Sequence, residues 1–330
     1  MKLKLLITAA LFSALSSGLS IAQAPDDYQI PRTEWGQPDI QGVWNFASNI
    51  PMTRPRQFGD REYMTQEEAT ALGAMMAAGF TALNEVGVGG YNDFWVEQAG
   101  RGDNLRTSLI TYPKNGQLPP RVEGADIQIG GLGPDFDGTR PVRTPVGGIA
   151  KNGPEDRGIS ERCIVGFNSG PPFTPSMYNN NVQIVQNKNT VVLMTEMIHD
   201  ARIVPLDNDS QLDDGVRLWT GDSRGYWEGD TLVVETRNFN ELTQSFSVFG
   251  DAYDKVLTEK FTRVNEFTVD YEFTVEDPAT FTDKITARIP MAKVDGLMYE
   301  YACHEGNYGM KNILRGERIT EQRESGSGGN

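Results

Sequence analysis

The second half of the chain alternates between apolar and polar positions. Every second residue from Phe267 to Val275 is apolar and the residues between them are polar. Phe281, Ile285, Ala287 and Ile289 repeat the pattern against Thr282, Lys284, Thr286 and Arg288. A period of two with one polar face is typical of an antiparallel sheet that packs one face on a core. Together with the turn-forming segments between such runs, the pattern predicts strands near 182–187, 190–197, 201–206, 224–228, 231–238, 255–264, 267–276, 281–290 and 297–303.

This succession of strands predicts a mainly β fold. A long meander either closes on itself or splits into two sheets, because unpaired edges invite aggregation. We expect an antiparallel meander that closes into a lipocalin-like barrel over residues 176–316. The irregular N-terminal half, residues 25–175, is expected to pack on it. The Gly- and Ser-rich C-terminal end predicts a disordered tail over residues 317–330.

The N-terminal half contains one clear helix signal. Thr65 and Glu68 have the spacing of a capping box, in which each side chain binds the free amide of the other residue. Apolar residues at helical spacing follow, namely Ala69, Leu72, Met76 and Phe80. We therefore expect a helix over about residues 65–79. Residues 113–175 are rich in Pro and Gly and are expected to form a long loop that wraps a surface or lines a site.

The first 24 residues are typical of a secretory signal. Lys2 and Lys4 precede a short apolar run, and small residues allow cleavage after Ala22 or Ala24. Cleavage after Ala22 is preferred, because Pro25 would directly follow the other cut. The alternative is a retained membrane anchor, for which the run is too short. We expect a periplasmic or secreted protein with no membrane span.

Charge narrows the choice of partners. The chain has 330 residues with 45 acidic and 30 basic side chains, which gives a formal net charge of −15. Nucleic acid and anionic membrane surfaces repel such a protein. With 38% hydrophobic residues the chain can bury a core, and a small molecule is the expected partner. Its oligomeric state is left open.

Export changes the interpretation of the two cysteines. An oxidising compartment favours a disulfide between Cys163 and Cys303. The alternative is two free thiols, with Cys303 as a nucleophile beside His304. Adjacent residues on a strand point in opposite directions, which argues against that pair.

Several motifs carry a resemblance. They span nearly the whole mature chain: Tyr91-Asn92-x-Phe94-Trp95, Arg106-Thr107-Ser108-Leu109-Ile110, Leu118-Pro119-Pro120, Tyr178-Asn179-Asn180-Asn181, Glu196-x-x-His199-Asp200-Ala201-Arg202, Gly221-Asp222-Ser223-Arg224-Gly225-x-Trp227-Glu228-Gly229-Asp230 and Tyr301-Ala302-Cys303-His304-Glu305-Gly306-Asn307-Tyr308-Gly309. On these motifs the chain resembles a largely uncharacterised family of exported bacterial proteins. The Gly-x-Trp-x-Gly-Asp hairpin is also similar to turns in lipocalin-like barrels. The resemblance implies a common fold and export, and it implies no particular reaction.

The two histidines are the first candidates for proton transfer, because imidazole titrates near neutral pH. Glu196 and Asp200 flank His199, and Glu305 follows His304. A carboxylate can orient an imidazole and raise its basicity. We expect the five residues to be catalytic if the fold brings the two histidines together. The alternative is two structural histidines at strand ends.

A metal site is a second interpretation of the same residues. Glu196, His199, His304 and Glu305 offer ligands for zinc or iron. The surrounding pattern is that of a strand, on which residues three apart lie on opposite faces. We therefore expect no metal. No organic cofactor is expected either, since no dinucleotide fingerprint is present.

Substrate-binding candidates surround these positions. The amides of Asn179, Asn180 and Asn181 can donate to a developing oxyanion, although turn formation is the simpler role. Arg202 and Arg224 can hold negative charge, and Arg224 can instead pair with Asp222. Aromatic side chains can line a pocket or belong to the core, and the two selected for the pocket are Tyr178 and Trp227.

The resulting hypothesis is a periplasmic enzyme that acts by general acid–base chemistry on a small apolar or aromatic molecule. A lyase, an isomerase or a hydrolase fits. The alternatives are a non-catalytic binding protein for a hydrophobic ligand and a structural envelope protein with an exposed apolar patch.

Overall fold

The structure, a computed structural model, describes residues 28–83, 97, 104–125, 151–206 and 212–327. Its main element is an antiparallel sheet. The strands among these residues are β1 (Gly42–Asn45), β2 (Ile110–Tyr112), β3 (Asn181–Gln186), β4 (Thr190–Thr195), β5 (Ala201–Pro205), β6 (Asp222–Glu228), β7 (Thr231–Arg237), β8 (Gln244–Phe246), β9 (Phe249–Asp251), β10 (Val256–Asn265), β11 (Thr268–Glu276) and β12 (Ile285–Val294). The helices are α1 (Gln66–Leu83) and α2 (Tyr308–Ser327), with short 3-10 turns between elements.

Ten strands form one sheet, which is strongly curled but not closed. Nine of them follow the order β5-β4-β3-β1-β12-β11-β10-β7-β6, β2 pairs with β12, and β8 pairs with β9 separately. Nine strands joined in antiparallel pairs leave the two end strands running in the same direction. Among the described residues, the end of β5 meets β6 through one parallel bridge, between Leu206 and Gly225. The lipocalin-like closed barrel is wrong; the mainly β, antiparallel architecture is confirmed.

The core lies on the concave face of the sheet. The alternation that predicts β10, β11 and β12 places every second side chain inside. Aromatic rings from these strands meet Phe173, which enters the core from the Pro-rich loop and is 1% exposed. Phe173 packs on Phe46, Phe261 and Tyr271. Burial of this apolar surface is the main stabilising contribution to the fold.

The N-terminal region contributes to the sheet itself. Strand β1 lies between β3 and β12, where Trp44 pairs with Val182 on one side and Lys293 on the other. Residues on both sides of position 176 therefore share one sheet. The expectation was that the N-terminal half would only pack against a separate β domain, whereas β1 is a strand within the main sheet.

Helix α1 confirms the predicted helix, four residues longer at its C-terminal end. The capping box forms, because the Glu68 backbone amide donates to Thr65 Oγ1 and the Thr65 amide donates to the Glu68 carboxylate. Residues 297–303, by contrast, are not a strand. Leu297 and Tyr299 are 80% and 74% exposed, so their alternation has no core to pack on.

The C-terminal end is helical up to Ser327 where a disordered tail is expected. The Asn307 side chain accepts a hydrogen bond from the Met310 amide at the start of α2. Arg318 pairs with Glu321 one turn away and donates to the carbonyl of Lys151. These contacts anchor a segment whose composition alone favours disorder.

The predicted disulfide is confirmed: Cys163 and Cys303 are bonded, 140 residues apart in the chain. Within the described ranges, neither helix is long and apolar enough to cross a membrane. The proposed signal, residues 1–24, lies outside the described residues, as do the Tyr91–Trp95 motif and positions 126–150 of the predicted loop.

Candidate functional site

Two carboxylates meet where three strands end. Asn45 ends β1 and pairs with Asn181, the first residue of β3. Strand β4 runs antiparallel to β3, so its end lies beside the start of β3 and brings Glu196 to Asn181. Glu97 reaches the same place from a distant part of the chain, and its amide donates to the Met177 carbonyl. The sheet register therefore builds the cluster.

Side-chain amides link the two carboxylates. Asn45 Nδ2 donates to Glu97 Oε2 and to Asn181 Oδ1, both at 2.9 Å. Asn181 Nδ2 donates to Glu196 Oε2 at 2.8 Å. Asn180 Nδ2 also donates to Glu97 Oε2, at 2.9 Å. We call Glu97, Glu196, Asn45, Asn180 and Asn181 the carboxylate–amide cluster.

Glu196 is the perturbed acid of this cluster. It is 9% exposed, and burial raises the pKa of its carboxyl above the usual value. The hydrogen bond from Asn181 opposes this shift, and the nearby Glu97 carboxylate adds to it by repulsion. Burial prevails, so Glu196 holds a proton at a higher pH than an ordinary glutamate does. Such a carboxyl is suited to exchange a proton with a bound molecule.

Glu196 opens a backbone turn with unusual torsion angles. The next residues form a 3-10 turn, Met197–His199, in which Ile198 and His199 have φ angles of 66° and 44°. Two consecutive left-handed residues other than Gly are uncommon, and a β-branched one is costly. The Met197 carbonyl accepts hydrogen bonds from Ser169 Oγ and Thr195 Oγ1, which hold the turn.

The two histidines occupy exposed positions. The His199 side chain is 44% exposed, with Nδ1 3.3 Å from the Tyr301 carbonyl oxygen and 4.0 Å from Glu300 Oε1. His304 is exposed as well, and its carbonyl accepts a hydrogen bond from the Asn307 amide. The carboxylate that approaches His199 is thus Glu300, which sequence reasoning did not select.

Asp200, next to His199, and Glu305, next to His304, differ in burial. Burial raises the pKa of Asp200, and one of its carboxylate oxygens accepts a hydrogen bond from the Ala201 amide. Glu305 is exposed. In the part of the chain that the structure covers, no three His, Cys, Asp or Glu side chains converge as they do in a metal site.

The predicted arginines are held by carboxylates. Arg202 lies inside the curled sheet, where both terminal nitrogens bind the carboxylate of Glu259. Arg224 forms an ion pair with Asp222, two residues earlier on the same strand. Neither guanidinium is therefore placed at the carboxylate–amide cluster by these contacts.

The remaining candidates surround the cluster or belong to the core. Asn179 donates a hydrogen bond to Glu196 and has a left-handed φ of 55°. Tyr178 packs edge-on against Phe167. Trp227 packs against the main core, and its buried Nε1 has no hydrogen-bond partner among the described residues.

An open apolar groove of about 410 Å³ is lined in part by residues that follow Asn45 closely in the chain. Its residues are Ser48, Asn49, Ile50, Pro51, Met52, Pro55, Leu72, Met76, Leu109 and Pro175. Ser48 follows Asn45 by three residues, a span of at most roughly 11 Å. Leu72 and Met76 come from the partly buried face of α1, which forms one wall. A volume of this size suits a small molecule.

Comparison with models of protein families, with curated proteins and with solved structures finds no match for this chain.

Sequence reasoning selected Glu196 but missed its partners Glu97 and Asn45. Asn45 ends a strand of only four residues, too short for a periodic pattern to show. Glu97 is a single acid far away in the chain. The signal that was available is the polar run Asn179–Asn181 directly before a strand, which places amides at a sheet end.

Proposed function

We propose that this protein is an exported enzyme that acts by general acid–base chemistry on a small, apolar or aromatic molecule, with Glu196 as the group that moves the proton. The substrate would lie in the apolar groove, with its reactive end toward the carboxylate–amide cluster. A lyase, an isomerase or a hydrolase fits this arrangement. Export, to the periplasm or the medium, is supported by the disulfide.

The observation that carries the proposal is the pairing of two carboxylates in a partly buried amide network. Glu97 accepts hydrogen bonds from the side-chain amides of Asn45 and Asn180. Glu196 is more buried and is repelled by Glu97. Two neighbouring acids in different environments can divide the work between a fixed charge and a proton carrier.

In this mechanism Glu196 takes a proton from the bound molecule and returns it to another atom of that molecule or to a leaving group. Glu97 holds the amides of Asn45 and Asn180 in place. Asn181 donates to Glu196 and stabilises its charged form. The exposed imidazoles of His199 and His304 take no part in this step, and a role for them in proton transfer stays a prediction.

Glu196→Gln should abolish most of the activity. The amide of Gln keeps the shape and still accepts from Asn181, but it cannot take a proton, so turnover should fall by about 10²–10⁴-fold. The measurement is kcat/KM on a panel of phenolic and terpenoid substrates. Glu300→Gln is the matched control, because that carboxylate is exposed and lies near His199. A folded Glu196→Gln protein with full turnover would refute the proposal.

The acid limb of the pH–rate profile should report Glu196. As a base it must be ionised, so kcat/KM falls as the pH drops through its raised pKa, above the ordinary value of 4.5. Glu97→Gln removes a like charge, lowers the pKa of Glu196 and should move the limb to lower pH. The profiles of wild type, Glu97→Gln and Glu300→Gln test this. A limb that stays in place in Glu97→Gln argues against the coupling of the two acids.

A non-catalytic carrier of a hydrophobic ligand is the second candidate. The groove alone favours it, because eight of its ten residues are apolar or proline side chains. A carrier would bind members of the same substrate panel with unchanged affinity in Glu196→Gln and would turn none of them over. Leu72→Glu, which places a charge in the groove, should weaken binding under either function.

A further inference from the structure

The disulfide and the Glu196 turn share one small hydrophobic cluster. Its buried members are Cys163, Met197 and Ile198. The partly buried residues packed against them are Phe167, Tyr178, Tyr301 and Cys303. The two middle residues of the turn that begins at Glu196 thus contact the covalent link between positions 163 and 303. Tyr301 provides a second contact between the turn and the segment around Cys303, since its carbonyl oxygen lies 3.3 Å from His199 Nδ1.

The two sulfur atoms differ in their surroundings. Cys163 is 3% exposed, whereas Cys303 is only partly buried. Asn307 Nδ2 lies 3.4 Å from Cys163 Sγ and also donates to the Glu161 carbonyl at 2.7 Å. An attacking thiolate therefore has access to Cys303, and a negative charge that forms on Cys163 would receive a hydrogen bond. A stabilised leaving thiolate speeds thiol–disulfide exchange.

We propose that the Cys163–Cys303 disulfide is an exchange site for a dithiol, attacked at Cys303, and that its reduction releases the turn that carries Glu196. One thiolate of the dithiol bonds to Cys303 Sγ. The S–S bond breaks, and its electron pair leaves on Cys163 Sγ, which then takes a proton from water. The second thiol of the dithiol displaces Cys303 and closes the dithiol's own disulfide. The protein gains two thiols, and the dithiol is oxidised.

Release of the turn follows from its backbone geometry. Ile198 and His199 hold left-handed torsion angles that need external support. Once Cys303 is free, Tyr301 and the packing on Ile198 are no longer tied to Cys163, and the turn can relax. Glu196, the first residue of this turn, would then shift relative to Asn181. This last consequence rests on the function proposed above, whereas the exchange chemistry does not.

The attacked sulfur can be identified with a monothiol. The folded protein is treated with 2-mercaptoethanol, quenched with acid and alkylated, and the adduct is located by mass spectrometry. The expected product carries the adduct on Cys303 and a free thiol at Cys163. An adduct on Cys163, or a disulfide that reacts only after denaturation, would overturn the proposal.

Asn307→Asp tests the role of the amide. Asp still accepts the hydrogen bond from the Met310 amide and caps α2, but it places a carboxylate oxygen toward Cys163. The rate of reduction by dithiothreitol should fall by about tenfold or more, because the developing thiolate loses its donor. Asn265→Asp is the matched control: it keeps a similar cap on the Phe267 amide and should reduce at the wild-type rate. Equal rates in Asn307→Asp and wild type would contradict the proposal.

The coupling to the turn has its own readout. The chain has two histidines, so each contributes one Hε1 signal to the proton NMR spectrum, and His304→Gln assigns the signal of His199. Reduction should shift or broaden the His199 signal and lower the Glu196-dependent turnover. An unchanged His199 signal refutes the coupling. A changed signal in a protein whose Glu196→Gln variant is fully active leaves the coupling intact and refutes the proposed function instead.

Discussion

Glu259→Gln should destabilise the protein by about 3–5 kcal/mol. Glu259 is fully buried on β10 and binds both terminal nitrogens of Arg202, one of them at 3.0 Å. Gln cannot neutralise the guanidinium, so Arg202 would remain as an uncompensated charge inside the sheet. The free energy of unfolding in urea, measured for wild type and variant, gives the difference. A loss below about 1 kcal/mol would show that the pair is not buried as described.

Two further variants separate charge from packing. Arg202→Met combined with Glu259→Leu removes both charges, and it should recover most of the lost stability because burial of the pair is itself costly. Asp270→Asn is the control for a less buried pair, since the side chains of its partner Arg288 and of Asp270 are 51% and 15% exposed. That variant should cost no more than about 1 kcal/mol.

Tyr271 links this ion pair to the Pro-rich loop. Its hydroxyl donates to Glu259 Oε1 at 2.7 Å and accepts from the Phe173 amide at 3.1 Å. Burial, followed by the neighbouring Glu259 carboxylate, raises the pKa of Tyr271 well above its usual value. The phenol therefore stays neutral and keeps its donor. The Arg202 guanidinium lies over the Phe173 ring, 5.6 Å from its centre. The polar network thus fixes the loop within an otherwise apolar interior.

One residue of this polar network, Glu259, could be recognised from the sequence. In the alternation of β10, Glu259 falls between Leu257 and Phe261 at an inward position. A charged residue at an inward position of a strand indicates either that the strand is wrongly assigned or that the charge has a buried partner. The identity of the partner depends on strand order, because Arg202 lies on the end strand β5, which is not a neighbour of β10 in the sheet. No local pattern supplies that order.

Local patterns and tertiary placement explain which expectations succeeded. The strands β10 and β11 and the helix α1 were predictable because their periodicity and caps are local. Strand β1 was not, because its four residues become a strand only by insertion between β3 and β12. The prediction of a closed barrel was wrong for a related reason: the strand order, and with it the relative direction of the end strands β5 and β6, depends on the insertion of β1. At the candidate site, Glu196 was recognisable as an acid in a motif, but its amide partners depend on the same insertion.

Replacement of both Cys163 and Cys303 by Ala should cost about 5 kcal/mol of unfolding free energy, since the bond closes a loop of 140 residues in the unfolded chain. The midpoint of urea unfolding should fall while the curled sheet persists, because the core strands lie outside the disulfide cluster. The unfolding free energy of the wild-type protein with its disulfide reduced should equal that of the double variant. A reducing agent should leave the unfolding free energy of the double variant unchanged. A loss below about 1 kcal/mol would mean that the reduced, unfolded chain already holds its ends together.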